Sequence, residues 1–373
     1  MSFEKVTAYL ESLVQRGLPS CDLMVMQGHH VLYRHTCGWR DAAHSQPLDG
    51  TETYCLYSCT KPVTICAALQ LVEAGKLALD APVARYLPAW GSLRVRSGDG
   101  LRPAGRTLTV RHLMSMQSGL DYQLDPAWRE AHAQADTLEF VQALAEKPLL
   151  FEPGTDYCYG LSHDVLAAVM EAVTGQRFSA YVKEHIFAPL GITALTFDTV
   201  QAQTGHPCAQ YYCHGTDAPL EACAPLENPY RYTPHYESGG AGLMGMVADY
   251  MRFADAVACG GTDAQGHRLL NRETIDLWRT PQLCAKAKQT FDATARKLGY
   301  SYGLGVRTRV DTSIGRGGPL GEFGWSGAAG SYVIMDPAHE LSCFLALHVR
   351  GCAQLGSIVH PHMQTLLYEA LGL

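Results

Sequence analysis

A serine and a lysine three positions apart, Ser58 and Lys61, are the residues of this sequence with the clearest capacity for chemistry. The apolar positions that follow them predict a helix over 58–75, which places both side chains on one face, one turn apart. A serine hydroxyl becomes a nucleophile when a neighbour accepts its proton, and a lysine accepts one when burial lowers its pKa. The free N–H groups of a helix start would stabilise an oxyanion. By itself, the spacing also fits an ordinary helix start capped by Ser58.

Two other serines stand in segments that approach the Gly-x-Ser-x-Gly nucleophile elbow, at 160–164 (GLSHD) and 324–328 (GWSGA). The elbow requires a strand before the serine and a helix after it. Ser326 precedes a predicted strand, and the segment around Ser162 lacks the second glycine. Triad partners also meet across a fold rather than as sequence neighbours. The pattern therefore favours Ser58 as the nucleophile.

A cluster of cysteines and histidines raises the question of a metal site. Zinc sites usually pair their ligands as CxxC or HxxxH on tight turns, and neither spacing occurs in this cluster. We therefore expect loop-linked strands here, with no metal, that carry His206, Cys208, Cys213, His214 and Cys223.

Charge and composition exclude several classes of partner. The chain has 373 residues, with 29 Lys and Arg against 36 Asp and Glu, so its net charge is −7 and it lacks the basic balance of a nucleic-acid binder. It has no apolar run of the ~18–20 residues that span a bilayer, and its first residues lack the apolar stretch of a signal peptide. Its 13 cysteines, an odd number in a long chain, predict reduced thiols and a cytoplasmic location. No membrane partner is expected.

Strand-like and helix-like segments are distributed unevenly along the chain. Strands are predicted within 22–38, where two strands meet at Gly28 and a third reaches Gly38, and at 301–309, 330–337 and 341–349. Helices are predicted at 3–17, 58–75, 109–117, 137–146, 163–174, 178–187, 247–258, 272–278 and 357–371. Because strands lie at both ends, we expect one unit with a sheet subdomain of about 1–90 and 290–373 and a helical subdomain of about 91–289.

Several separated segments together resemble one known superfamily. They are 54–88 (YCLYSCTKPVTICAALQLVEAGKLALDAPVARYLP), 108–122 (LTVRHLMSMQSGLDY), 151–175 (FEPGTDYCYGLSHDVLAAVMEAVTG), 187–197, 238–254 and 323–337 (FGWSGAAGSYVIMDP). In this order they resemble the serine β-lactamase-like superfamily, in its branch of class C β-lactamases and family VIII carboxylesterases. The resemblance implies an α/β (α+β) fold of β-lactamase/transpeptidase type, with an antiparallel sheet flanked by helices and an inserted, mostly helical domain.

The resemblance also implies roles for individual residues. Ser58 matches the serine that is acylated, and Lys61 the lysine that helps to deprotonate it. Tyr159 matches a tyrosine that acts as a base, and nearby lysine charge is expected to lower its pKa. The backbone N–H groups of Ser58 and Ala328 would form the oxyanion hole. No metal or organic cofactor is implied.

The substrate-binding positions depart from the β-lactamase pattern. Leu161 stands where β-lactamases carry an amide-binding Asn, and Trp325, followed by Ser326 and Gly327, stands where they carry a carboxylate-binding Lys. Apolar side chains at these positions favour an uncharged ester over a charged acyl-amide. The prediction is therefore a carboxylesterase that acts on small esters through an acyl-enzyme on Ser58.

Other functions stay open at this point. They are a D-amino-acid peptidase or amidase, an acyltransferase, a weak β-lactamase, each with a small-molecule ester or amide substrate, and a non-catalytic binding protein. Cys59 and Cys158 flank the predicted catalytic residues, either as buried filler or as sites of redox sensitivity. The oligomeric state is left open as well.

Overall fold

The computed structural model describes residues 2–215 and 218–373. Its main sheet has seven antiparallel strands, and both ends of the chain contribute to it. In spatial order, with labels numbered along the chain, the strands are β10 (Tyr300–Tyr302), β11 (Arg307–Arg309), β12 (Phe323–Gly324), β13 (Tyr332–Asp336), β14 (Leu341–Ala346), β1 (Ser20–Gln27) and β2 (His30–Gly38).

Twelve α-helices complete the described part of the fold. They are α1 (Glu4–Gln15), α2 (Thr60–Glu73), α3 (Val110–Met114), α4 (Pro126–Ala131), α5 (Thr137–Leu144), α6 (Ser162–Thr174), α7 (Phe178–Val182), α8 (Thr199–Gln203), α9 (Val247–Ala258), α10 (Arg272–Arg279), α11 (Ala285–Ala295) and α12 (His360–Leu371). Within the described ranges, every helix is too short or too polar to span a bilayer.

Helices cover both faces of the main sheet, and the strands are apolar on both sides for this reason. In β14, Cys343 and Leu345 pack into the cluster formed with α1 and α12, whereas Phe344 and Ala346 pack into the larger cluster that contains α2, α6 and α9. Successive side chains of a strand point to opposite faces, so a continuous apolar run fits a strand buried on both sides.

Short strands form three smaller sheets around this core. Their members are β3 (Glu52–Cys55), β4 (Arg94–Ser97), β5 (Gly100–Pro103), β6 (His206–Pro207), β7 (Gln210–Tyr212), β8 (Glu221–Cys223), β9 (Met244–Gly245) and β15 (Val349–Arg350). The strand orders are β15-β7-β8, β6-β3-β9 and β4-β5. Strand β3 leads directly to the predicted nucleophile.

The predicted fold class is confirmed, and several element bounds need correction. The two predicted strands that would follow Gly28 are one continuous strand, β2. The predicted strand at 301–309 is two strands, β10 and β11, joined by a turn at 303–306. The predicted helix at 58–75 begins with a 3-10 turn at Tyr57–Cys59 before α2. The subdomain boundaries at about 90 and 290 stay a prediction.

A buried ion pair lies inside the main sheet, and it supports a stability prediction. Arg307 and Glu322 are 1% and 0% exposed, with Nη2 and Oε1 2.8 Å apart, and the Tyr300 hydroxyl donates to Glu322 at 2.9 Å. We expect Glu322→Ala to lower the free energy of unfolding by about 3–5 kcal/mol, because it leaves a buried guanidinium unpaired. Asp276→Ala, which breaks an exposed pair with Arg279, is the control and should cost less than about 1 kcal/mol. Equal losses in urea unfolding would contradict this prediction.

Candidate active site

The predicted nucleophile lies in a tight turn between β3 and α2. Tyr57, just before Ser58, has a φ of +47°, a left-handed conformation that is uncommon for a residue other than glycine. Its hydroxyl donates to Gln210 Oε1 at 2.5 Å, which holds the ring in place. The Tyr250 hydroxyl donates to the Cys59 carbonyl at 2.7 Å from the other side. These contacts fix the turn, and Ser58 keeps 8% of its surface exposed.

Lys61 lies one helical turn after Ser58 and is fully buried. Its Nζ lies 3.2 Å from Ser58 Oγ, 3.1 Å from the Tyr122 hydroxyl and 2.8 Å from the Gly240 carbonyl oxygen. Burial lowers the pKa of Lys61 to about 7. A substantial fraction of the amine is therefore neutral near pH 7 and able to accept the Ser58 proton.

A buried carboxylate, Asp164, opposes this effect on Lys61. Ser238 Oγ and the Tyr236 hydroxyl donate to its Oδ1 at 2.6 and 2.8 Å, while burial raises its pKa. The negative charge of Asp164 raises the pKa of Lys61 and so counters part of the desolvation. Gly240 permits this approach, because a Cβ there would lie 2.7 Å from Asp164 Oδ2. Asp164 thus holds the pKa of Lys61 higher than burial alone would place it.

Tyr159 faces the same group of atoms from the loop before α6. The Trp325 indole N–H donates to the Tyr159 hydroxyl oxygen at 2.8 Å, and Lys61 Nζ lies 4.5 Å from the centre of the Tyr159 ring. The expected lowering of the Tyr159 pKa is wrong: burial raises it well above its ordinary value, although hydrogen bonds from Ser58 and Trp325 oppose the rise. Tyr159 therefore stays protonated near neutral pH, and Lys61 is the better base.

Two backbone N–H groups fit the predicted oxyanion hole. Gly327 packs directly against the residue that precedes the nucleophile turn, because a Cβ there would lie 2.4 Å from the Leu56 carbonyl oxygen. Ser331 Oγ donates to the same carbonyl at 2.9 Å. Within the described chain, the N–H groups of Ser58 and Ala328 donate to no other protein group. Ala328 is exposed, so its N–H can reach a bound substrate.

Of the other predicted substrate-binding residues, Trp325 lies beside Tyr159 and is followed by Ser326, whereas Leu161 lies in the core. Trp325 is 5% exposed and packs against Tyr159, and Ser326 is half-buried beside it. Leu161 is placed otherwise than predicted: it is fully buried in the larger hydrophobic cluster and has no surface to offer a substrate. It is the residue just before α6, and its side chain serves core packing rather than recognition.

The alternative nucleophile Ser162 is unsuited to catalysis in this structure. It is fully buried, and its Oγ lies 2.7 Å from Ser118 Oγ. His163 Nε2 lies 3.2 Å from the Met114 carbonyl oxygen, and the charge of Asp164 interacts with that of Lys61. These three neighbours therefore form no triad. Ser326 pairs with Tyr332 and leads into β13 rather than a helix.

The five residues considered for a metal site do not gather in the described part of the chain. His206 Nδ1 lies 2.7 Å from Thr51 Oγ1, and His214 Nε2 lies 2.5 Å from Glu221 Oε2.

The surroundings of Cys59 and Cys158, the two cysteines beside the catalytic residues, favour a packing role. Burial raises the pKa of Cys59 to about 12 and of Cys158 to about 11, so both thiols stay protonated near pH 7.

Tyr122 is a member of the site that sequence reasoning missed. Its hydroxyl receives a hydrogen bond from Lys61 at 3.1 Å, and its ring lies 5.9 Å from that of Tyr159 and 5.0 Å from that of Tyr230. Together with Trp325, which packs against Tyr159, these rings form an aromatic cluster beside Lys61. The only signal was its place at the end of a segment shared with the superfamily, 108–122.

The charge state of Lys61 leads to a prediction about pH. For a neutral ester, kcat/KM should fall about tenfold per pH unit below an apparent pKa near 7, because a protonated lysine accepts no proton. Asp164→Asn should move this acidic limb of the pH profile to lower pH, since it removes the negative charge that raises the pKa of Lys61. Tyr236→Phe, which removes a hydrogen bond to Asp164 but keeps the charge, is the control. An unchanged limb in Asp164→Asn would contradict the assigned role.

Comparison with known proteins shows the family to which the chain belongs. The profile of the Beta-lactamase family matches residues 5–351. Esterase EstB of Burkholderia gladioli is 30% identical, over 90% of this chain and 87% of its own. A monacolin J acid methylbutanoyltransferase of Aspergillus terreus is 28% identical, over 84% of this chain and 79% of its own.

A solved structure agrees with the fold. EstCE1, described as a hydrolase with promiscuous acyltransferase activity, superimposes with a TM-score of 0.82 at 23% identity, over 98% of both chains. The family match and the esterase relative each extend over most of the chain. The chain therefore belongs to the beta-lactamase family and is a serine hydrolase of the β-lactamase-like superfamily.

Proposed function

We propose that this protein is a carboxylesterase that hydrolyses small, uncharged esters through an acyl-enzyme on Ser58. The observation that carries the proposal is the contact of 3.2 Å between Ser58 Oγ and a fully buried lysine whose pKa is lowered to about 7. Such a pair supplies a nucleophile and its base without a histidine. The esterase among the relatives supports the substrate class.

The proposed reaction has two steps. Lys61 takes the Ser58 proton as Oγ attacks the ester carbonyl, and the N–H groups of Ser58 and Ala328 hold the oxyanion. The leaving alcohol takes a proton from Lys61 through the Tyr159 hydroxyl, which the Trp325 N–H orients. Water then attacks the acyl carbonyl while Lys61 takes its proton. The proton returns to Ser58 Oγ as the acid is released.

The preference for esters rests on two positions. Trp325 offers an aromatic surface where a β-lactamase would hold a carboxylate, and the buried Leu161 offers no group to an amide side chain. We expect kcat/KM for p-nitrophenyl butyrate to exceed that for a cephalosporin by at least about a hundredfold, because Trp325 and Leu161 supply no polar partner for the carboxylate and amide groups of the cephalosporin. Comparable values for the two substrates would overturn the proposal.

Acyl transfer to an alcohol is the second candidate, because the methylbutanoyltransferase relative uses the same fold family. Both activities share the acyl-enzyme and differ in the acceptor. Adding a small primary alcohol to the ester assay separates them. A new ester that forms faster than free acid identifies a transferase, and free acid as the main product identifies a hydrolase.

We further propose a cytoplasmic location and the two-subdomain division stated above. Each of the 13 cysteines carries a free thiol, which is typical of a reducing compartment. Strands from 20–38 and 300–346 share one sheet, which supports a sheet subdomain built from both ends of the chain.

A further inference from the structure

Three potential metal ligands meet at the end of the main sheet, outside the catalytic site. His29 occupies the turn between β1 and β2, Asp255 lies in the last turn of α9, and Cys259 caps that helix. His29 Nδ1 lies 2.7 Å from Asp255 Oδ2, and Cys259 Sγ lies 3.8 Å from Asp255 Oδ1. The donor atoms of all three residues lie within 4.8 Å of one another.

We propose that His29, Asp255 and Cys259 form a binding site for a divalent transition metal of the zinc type. Imidazole, carboxylate and thiolate are the ligand set of borderline-soft ions such as Zn²⁺ and Co²⁺, whereas Mg²⁺ and Ca²⁺ take oxygen ligands. The Cys259 thiol releases its proton to solvent as the ion binds, because the thiolate is the ligand. Zinc lies about 2.0–2.3 Å from such ligands, so donor atoms within 4.8 Å of one another reach one ion through small side-chain rotations.

The charge around Asp255 favours a cation. Its side chain is 6% exposed, and its ion-pair partner in the described chain is the imidazole of His29 alone. A buried carboxylate requires compensating charge, and a histidine supplies it only when protonated. Cys259 and Asp255 also lie at the C-terminal end of α9, where the helix dipole stabilises positive charge. A metal ion would both compensate the buried carboxylate and interact favourably with the helix dipole.

A neighbouring carboxylate can complete the coordination. Gly28 donates its N–H to the Glu340 carbonyl at 3.0 Å, and Glu340 Oε2 lies 3.5 Å from the place of a Cβ on Gly28. Glu340 is exposed in the turn between β13 and β14, so its carboxylate, after rotation, or a water molecule would supply a fourth ligand. The bound ion would tie three turns of the chain together. One of them ends α9, the helix whose Tyr250 holds the nucleophile turn.

Cobalt(II) titration of the protein without a polyhistidine tag tests this site. One equivalent of Co²⁺ should produce a thiolate-to-cobalt charge-transfer band, and Zn²⁺ should abolish the band and raise Tm, because an ion that binds the folded state stabilises it. Cys259→Ser should remove the band. His29→Asn keeps a residue that suits the left-handed turn and should weaken Co²⁺ binding by at least about tenfold. Even the loss of a residue that only hydrogen-bonds to a metal ligand weakens binding by this much.

Two control variants separate this site from incidental binding. His267→Asn alters an exposed histidine–aspartate pair of 3.0 Å, and Cys284→Ser removes an exposed thiol, and both should keep the band. Circular dichroism checks that every variant is folded, and His29→Asn decides the matter if Cys259→Ser does not fold. The absence of a band in the wild type, its survival in Cys259→Ser, or tight binding by His29→Asn would each overturn the proposal. Because ester hydrolysis is measured separately, its failure would leave this result unaffected.

Discussion

Ser58→Ala is expected to lower kcat for p-nitrophenyl butyrate by about 10⁴–10⁶-fold, because it removes the oxygen that attacks the ester carbonyl. The remaining rate would come from the oxyanion hole and substrate binding alone. Ser58 keeps 8% of its surface exposed and lies in a turn held by contacts of its neighbours, so the change should leave Tm nearly unchanged. The measurement is the initial rate with a folded, titrated enzyme.

Ser162→Ala is the matched control for this experiment. Ser162 occupies the rival elbow-like segment, but it is fully buried, and its Oγ lies 2.7 Å from Ser118 Oγ. Its replacement should keep most of the activity at a modest cost in stability. Loss of activity in folded Ser162→Ala, together with an active Ser58→Ala, would assign the nucleophile to the other segment.

Lys61→Met is expected to lower kcat/KM by about 10²–10⁴-fold, the contribution of a general base. Methionine fills the space of the lysine stem and carries no proton acceptor of comparable strength. The change also removes the positive charge that faces the buried carboxylate of Asp164, so Tm and circular dichroism must show that Lys61→Met is folded before its rate is compared. The rate should also lose the acidic limb near pH 7, since the group that titrates there is gone.

Lys76→Met provides the control for the lysine experiment, since Lys76 is exposed just after α2. Its rate and pH profile should match those of the wild type. An acidic limb near pH 7 that persists in Lys61→Met would show that another group is the base. Tyr159→Phe would then be the next variant to measure.

The local part of the site was predictable from the sequence. A spacing of three residues on a helix places Lys61 beside Ser58 whatever the rest of the fold does, and the structure shows 3.2 Å between their side-chain atoms. The sheet built from both ends of the chain also followed from where the strand-like segments lie. Local periodicity carries this information because it depends on near neighbours.

The contacts that tune the site were not predictable in the same way. Asp164 reaches Lys61 only because Gly240, distant along the chain, allows a close approach, and Tyr122 depends on the path of an irregular loop. The expected fall in the Tyr159 pKa considered the charge of Lys61 but not burial, which dominates. The side chain of Leu161, the residue just before α6, likewise packs into the core. Desolvation and packing are properties of the tertiary structure.

The most direct test of the central claim is intact-mass spectrometry of the acyl-enzyme. Wild-type protein mixed with p-nitrophenyl butyrate and quenched in acid within the burst phase should gain the mass of one butyryl group, and peptide mapping should locate it on Ser58. Ser58→Ala treated in the same way should gain none. A butyryl group on any other residue, or an equal gain in Ser58→Ala, would contradict the mechanism.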